Sequence, residues 1–486
     1  SKPATCESNA FISDKANGRL FLHANIGFNI DNDAILDNIR YKTDLKWLLE
    51  RNNNDPLNIN RISIFFRELL LLIRTKALME DGNIEKLKIA LSFPISMGAS
   101  LKGQLIKLFE DERADILGNH SQPIREVTES IAPYYQLKHV NTNIQNDGYC
   151  NIDIGGGKLK SFWAYCSSFK FAGRQLWSSG RNEFNLSDNG FVGYYRSFIE
   201  RTDSNVYVEL QKVLNGGANR TEDVVGLLFS KPEYRFADIF SDCKELKVVP
   251  LIHYSAILFY ITRLAQLKNV ELPRTISFSG KGSEYLSLIF PSDNDLKGFT
   301  QKVLGIFAGK PPRLDFAIER SDEPKVITAK GTAHGAIENA EKKSDDWNTN
   351  EQSDEGIETD TVNYIGFKNF SHEGISLTYS VFASNNELYV DIMNNHLDFF
   401  SLLFDNQELC SIINKRLEIK DFTKYKQFFI PQSGDLANIG KLRDSFKATL
   451  AGVNPSDSVS DSPFFFALNY SLIELSREIA AAALRK

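Results

Sequence analysis

The chain is short of cysteine, histidine and methionine. Its five cysteines lie at positions 6, 150, 166, 243 and 410, and no two form a Cys-x-x-Cys pair. An odd, scattered set argues against a disulfide framework or a zinc site, and it suits a reducing, cytoplasmic compartment. The seven histidines show no metal-ligand spacing such as His-Glu-x-x-His. No basic block stands out and the formal net charge is -6, so nucleic acid is not expected as a partner. No apolar run reaches the roughly 20 residues that cross a bilayer. The two longest candidates, 248–264 and 464–484, carry His253 and Arg263 in the first, and Asn469, Glu474, Arg477 and Glu478 in the second. Both read as buried or amphipathic helices, not membrane spans. No signal peptide opens the chain, which starts at Ser1 and reads as processed or shortened.

What is present is an ordinary globular composition, 42% hydrophobic and 24% charged. A chain of 486 residues is too long for one core, so about two to four domains are expected. Residues 10–29 read as a β-hairpin and 44–49 as a short helix. Residues 62–79 read as a long helix with one buried face. A buried strand at 88–93 stops at Pro94 and leads into a helix at 100–114. A short strand at 125–127 runs into Glu129 and a helical turn at 131–137. This alternation points to an α/β fold with crossover connections. A second alternation follows. Strand 151–154, a glycine turn and a return strand at 159–165 precede a mostly helical stretch at 185–265. Strands at 275–278 and 326–328 each lead into a helix, the second over 332–340. From Glu338 to Asp360 the chain is acidic and hydrophilic, as in an exposed connector. Beyond it, 375–382 and 387–392 alternate like paired strands around a turn at 383–386, and 464–485 reads as a helix.

Three stretches carry chemistry. In Asn151-Ile-Asp-Ile-Gly-Gly-Gly157 a buried strand delivers an aspartate directly into three glycines. Glycine permits a tight turn and leaves backbone N–H groups free to face phosphate oxygens. An aspartate at the strand end suits Mg²⁺ held largely through water. The bland alternative is a glycine-rich turn with an incidental acid. In Thr275-Ile-Ser-Phe-Ser-Gly280-Lys-Gly282-Ser283 a strand enters a Gly-x-Gly turn and a helix, whose N-terminus would favour negative charge. The alternative is a helix entry capped by Ser283. In 326–336 small residues at Ala329, Gly331, Ala333, Gly335 and Ala336 would let two helices or domains pack closely, or form plain tight core packing.

In this order and spacing the three stretches resemble the phosphate-2, adenosine and second connecting motifs of the actin, DnaK-type chaperone and sugar kinase ATPase superfamily. Residues 2–14 resemble the chaperone stretch after the first phosphate hairpin. Residues 39–47 resemble the segment bearing the phosphate-contacting lysine, here Lys46 or Lys42. Residues 89–97 resemble the Val-Pro strand. Arg125-Glu-Val-Thr-Glu129-Ser-Ile-Ala132 resembles the first connecting motif. The resemblance covers about residues 1–340 and implies a two-lobed, actin-like α/β fold built from duplicated ribonuclease H-like domains. Residues 1–148 would form the first lobe and 149–340 the second, with a helical insertion near 178–270. An acidic linker at 341–362 and a C-terminal α+β segment at 363–486 would follow. The lobes would close on ATP and Mg²⁺. Asp153 would sit by the metal and Gly155, Gly156, Gly157 and Lys158 by the phosphates. Glu129 would place the attacking water, and Gly280, Gly282 and Ser283 would flank the adenosine. A protein partner would engage the C-terminal segment.

Two departures from the family pattern stand out. The Asp-x-Gly-Thr phosphate-1 hairpin expected upstream of Lys2 does not occur in the chain. The hydroxyl and acidic positions that usually follow the triple glycine hold Lys158 and Lys160. A cation there can attract phosphate, yet loss of a water-orienting hydroxyl counts against hydrolysis. The competing expectations are therefore a non-catalytic scaffold or assembly subunit, and a phosphatase or kinase of the same superfamily.

Overall fold

A computed structural model describes residues 49, 55–93, 99–118, 123–129, 131–140, 148–155, 161–163, 166–172, 191–202, 238–267, 269–280, 283, 285–320, 326–342, 386–429 and 463–485. In chain order its elements are α1 (Pro56–Met79), β1 (Ala90–Phe93), α2 (Ala99–Leu117), β2 (Arg125–Thr128), α3 (Ala132–Val140), β3 (Tyr149–Gly155), β4 (Ser161–Trp163) and β5 (Cys166–Ala172). Then come α4 (Phe191–Thr202), α5 (Ile239–Asp242), α6 (Val248–Leu267), β6 (Thr275–Ser279), α7 (Leu286–Ile289), α8 (Asp293–Ala308), β7 (Ala317–Arg320), α9 (Ile327–Lys342), α10 (Asn386–Asp405), α11 (Gln407–Leu417) and α12 (Pro463–Leu484). The fold is mixed α/β, mostly helical, with two small sheets that contain parallel strand pairs. The chain divides into two compact units, residues 1–136 with 329–354, and residues 137–328 with 355–486.

The first unit starts at α1. Asp55 accepts a hydrogen bond from Leu57 N and Pro56 occupies the first turn, where a missing N–H costs nothing. The buried side of α1 sets Ile62 against Leu101 and Leu105 of α2, and Leu70 against Phe109 and Leu117. Each such side chain contributes about 1.5–3 kcal/mol on burial. Arg67 reaches Glu112 at 2.6 Å and Asp115 at 2.9 Å across the same helix pair. Helix α2 connects β1 to β2, which pair in parallel from Ala90–Arg125 to Phe93–Thr128. Strand β1, expected to be buried, is half-buried along its length.

In the same unit α3 meets α9 at very short range. A Cβ built on Gly331 would lie 1.7 Å from the Ala132 carbonyl oxygen, and one on Gly335 would lie 2.5 Å from the Tyr135 ring. Only glycine permits that approach. Gly331 and Gly335 thus serve helix packing, whereas Ala329 and Ala333 are exposed.

The second unit is built on α6. Its apolar window is long enough for a membrane span, yet 94% of it is buried inside the protein. Tyr254 packs on Phe278 of β6 and on Phe299 of α8, while its hydroxyl bonds the Thr300 hydroxyl at 2.6 Å. One turn on, Phe259 meets Phe307 of α8, Phe399 of α10 and Phe464 of α12. Tyr260 meets Phe465. The sheet and the C-terminal helices therefore share one core.

Several expectations are corrected. Residues 387–392 are not a strand. They lie in α10, whose buried positions Ile392, Asn395, His396, Phe399, Phe400, Leu403 and Phe404 repeat every three to four residues. The described residues beyond the acidic stretch are helices and turns, so the expected C-terminal α+β segment is helical there. Val326 is a turn, and Ile327 and Thr328 open α9 instead of forming a strand. Helix α9 also runs to Lys342, into the stretch read as an acidic connector. Strand β4 lies within the return strand read at 159–165, and it pairs antiparallel with β5. The hairpin at 10–29, the segment resembling 39–47 and the strand at 375–382 fall outside the described residues.

Candidate functional site

Strand β3 lies in the middle of a five-stranded sheet of order β4-β5-β3-β6-β7. It runs parallel to β5 on one side and to β6 on the other. The chain leaving β3 first lays down β4 and β5 on one flank, then returns to lay β6 on the opposite flank. The strand order therefore reverses between β3 and β6. In open α/β sheets the crevice outside the carboxyl ends of two strands at such a reversal is where ligands bind. Strand β3 ends at Gly155 and β6 ends at Ser279, with Asp153 and Ser279 as register partners. The two strands that lead into the glycine stretches singled out in the sequence thus end side by side.

Local chemistry shapes the turn that follows β6. Gly280 has a φ of 76° and turns the chain sharply away from β6. Ser283 closes the turn, with its N and its Oγ both donating to the Gly280 carbonyl, at 3.1 and 2.8 Å. Its hydroxyl is spent on that turn, so it does not cap a helix. The helix expected after the turn is only α7, four residues long with no side-chain cap. Phe290 precedes Pro291 and takes an extended conformation (φ -116°, ψ 106°), which stops the helix. A helix that short has no useful dipole, and the expectation of anion binding by a helix N-terminus here is withdrawn. Attraction for an anion at this edge has to come from backbone N–H groups and lysines.

Beneath the turn, Tyr285 is buried and its hydroxyl bonds His253 Nδ1 at 3.1 Å. Burial pushes the His253 imidazole down to about 3, so it is neutral, and holds the Tyr285 phenol well above its ordinary range. This pair ties the loop after β6 to α6.

One face of β3 and β6 carries a buried polar ladder that the sequence reading did not single out. The Ser277 hydroxyl donates to Asn151 Oδ1 at 2.7 Å, and Asn151 Nδ2 donates to Ser279 Oγ at 3.0 Å. Tyr149 OH bonds Ser277 Oγ. The alternation of these residues with Cys150, Ile152, Ile276 and Phe278 was the available signal.

The other expected site residues fall as follows. Glu129 sits at the turn between β2 and α3, its N–H donating to the Phe93 carbonyl at 2.9 Å, and it belongs to the first unit. Asp153 and Gly155 are in β3. Gly156, Gly157, Lys158, Gly282 and Lys46 (with its alternative Lys42) lie outside the described residues. On the side away from β6 the register sets Lys170 of β5 opposite Asp153. Among the described residues no group of three or more His, Cys, Asp or Glu could hold a metal ion. No family model, curated protein or solved structure matches the chain.

Proposed function

We propose that this chain binds a nucleotide, with the phosphates at the carboxyl ends of β3 and β6, as an ATP-dependent switch of the actin and DnaK-like type. The observation that supports the reading is that the two strands leading into the glycine stretches are parallel neighbours at one strand-order reversal. In this reading the N–H groups of Gly155, Gly156 and Gly157, with the Lys158 ammonium, hold the β- and γ-phosphates. Gly280, Gly282 and Ser283 flank the adenosine, and Lys46 is a further phosphate contact. Asp153 is a single carboxylate at a strand end, a donor set that fits a Mg²⁺ ion bound mostly by water and phosphate oxygens. The metal would supply charge neutralisation of the phosphates. Glu129 would place a water. The two-lobed actin-like architecture is part of this proposal.

A second reading keeps the fold without turnover, as a scaffold or assembly subunit. Lys158 and Lys160, in place of the hydroxyl and acid that usually follow the glycines, favour it. Calorimetric titration of the full chain with ATP and Mg²⁺, followed by assay of phosphate release, separates the readings. Saturable binding with release supports the switch, and binding without release supports the scaffold. No binding at about 1 mM ATP, an interaction weaker than roughly 4 kcal/mol, removes the nucleotide reading altogether.

A further inference from the structure

Five of the thirteen exposed large hydrophobic side chains among the described residues belong to α1. Single apolar groups on a surface need no explanation, but a cluster on one helix does. Leu71, Leu72, Leu78 and Met79 are between 41% and 77% exposed. They recur at intervals of seven, continuing the half-buried Ile64 and Phe65. That spacing sets them in one stripe, on the side of α1 away from Ile62 and Leu70, which pack on α2. At about 1.5 Å per residue the stripe is roughly 24 Å long.

Two other side chains lie within it. The Thr75 hydroxyl is spent on the Leu71 carbonyl at 2.8 Å. Glu68 is half-buried and forms no hydrogen bond or ion pair with the described residues. Thr75 stands between two cations. Arg74 donates to the Ile116 carbonyl at 2.8 Å, and Lys76 meets Glu80 at 2.7 Å in an exposed pair. Such a surface pair contributes little and leaves the ammonium free to be shared.

The stripe is complementary to itself. An interface on a two-fold axis is reciprocal, with residue i meeting j and j meeting i. Let two copies of α1 cross antiparallel about an axis between Leu71 and Leu72. Ile64 then comes level with the partner's Met79, Phe65 with its Leu78, and Leu71 with its Leu72. Glu68 comes level with the partner's Thr75, between the partner's Arg74 and the partner's Lys76. Apolar groups thus meet apolar groups, and the one carboxylate without a partner meets two cations. A parallel pair in register would instead set Glu68 against its own copy, a repulsive contact.

We propose that this face of α1 is a homodimer interface, covered by the antiparallel α1 of a second copy of the chain. Pairing withdraws the exposed leucines and Met79 from water, and the two Glu68 carboxylates fix the direction of the helices. The inference is independent of the nucleotide reading.

The mass of the full chain in solution, by sedimentation and light scattering, tests it. The wild type is expected to be dimeric at about 100 μM. Leu72→Glu, beside the axis, is expected to be monomeric there with an unchanged circular dichroism spectrum, while Leu72→Met stays dimeric. Glu68→Lys and Lys76→Glu are each expected to weaken self-association by about tenfold. An equimolar mixture of these two variants restores the dimer, because both ends of the mixed pair then join a carboxylate to an ammonium. The charge variants keep the test decisive if Leu72→Glu does not fold. A wild type that stays monomeric at about 100 μM overturns the proposal and leaves the stripe to another part of the chain or to a different protein. A dimer that survives Leu72→Glu also overturns it, by placing the interface elsewhere. Charge variants whose mixture associates no better than either alone overturn the antiparallel pairing.

Discussion

Gly331→Ala puts the contact between α3 and α9 to the test. Helix propensity alone favours Ala over Gly by roughly 0.5–1 kcal/mol at an interior position. Gly103 in α2 offers the control within the same unit, because it is exposed and an added Cβ there meets nothing within 4 Å. Gly103→Ala is therefore expected to stabilise by about that amount. At Gly331 the same Cβ would lie 1.7 Å from the Ala132 carbonyl oxygen and 2.4 Å from its carbon. Non-bonded carbons settle at about 3.5–4 Å, so the two helices must part by more than 1 Å (roughly, by that difference). The obstacle is backbone, which cannot rotate aside. Overpacking costs about 1–3 kcal/mol and sometimes more, and this case belongs at the upper end. After the propensity gain is subtracted, a net loss of about 2 kcal/mol remains, or roughly 4–8 °C in Tm for a unit of this size. Hydrogen exchange at the amides of 132–140, with thermal unfolding of the full chain, measures it. Gly331→Ala at or above wild-type stability, with the Gly103→Ala gain intact, would refute the close approach.

Other outcomes follow from the second unit. Burial holds His253 at about 3 and His396 at about 4, both below the ordinary 6.5. The unfolded chain takes up these protons first, so the stability they contribute is intact above pH 6.5. It is lost as pH falls from 6.5 toward about 4 for His396 and toward about 3 for His253, at about 1.4 kcal/mol per pH unit for each ring. Urea unfolding between pH 7.5 and 5 checks this, and a flat midpoint across that range contradicts it. Tyr285→Phe takes the hydroxyl from His253 Nδ1 and is expected to cost about 1–3 kcal/mol, read as a lower urea midpoint at pH 7.5. Ending the chain at residue 462 removes α12 and strips Phe464 and Phe465 from Phe259 and Tyr260. The apolar α6 is then uncovered, and light scattering is expected to report aggregation.

The sequence made the parallel strands legible where a β-branched or apolar run ended in glycine, as in β3 and β6. It also made α6 legible, because a run with few charges that stays short of a clean membrane span belongs in a core. Strand β7 was missed because Ala317-Ile-Glu-Arg320 is short and charged, as befits an edge. The error at 387–392 arose from a window of six residues. Leu-Tyr-Val-Asp-Ile alternates over that length, and only the spacing out to Phe404 reveals the helical period. The partnership of the two glycine turns was legible only as a resemblance. Strand order is a long-range property that local pattern does not encode, and the reversal between β3 and β6 became visible with the sheet. The polar ladder shows the same limit, since each of its bonds joins residues more than 120 positions apart.

Hydrogen–deuterium exchange of the full chain, with and without ATP·Mg²⁺, tests the central claim most directly. Bound nucleotide is expected to protect the amides of 153–158 and 280–285 together, because the proposal puts both turns against the same nucleotide. Protection confined to other segments, or none at saturating ATP, would contradict the assignment of the phosphate site to the ends of β3 and β6.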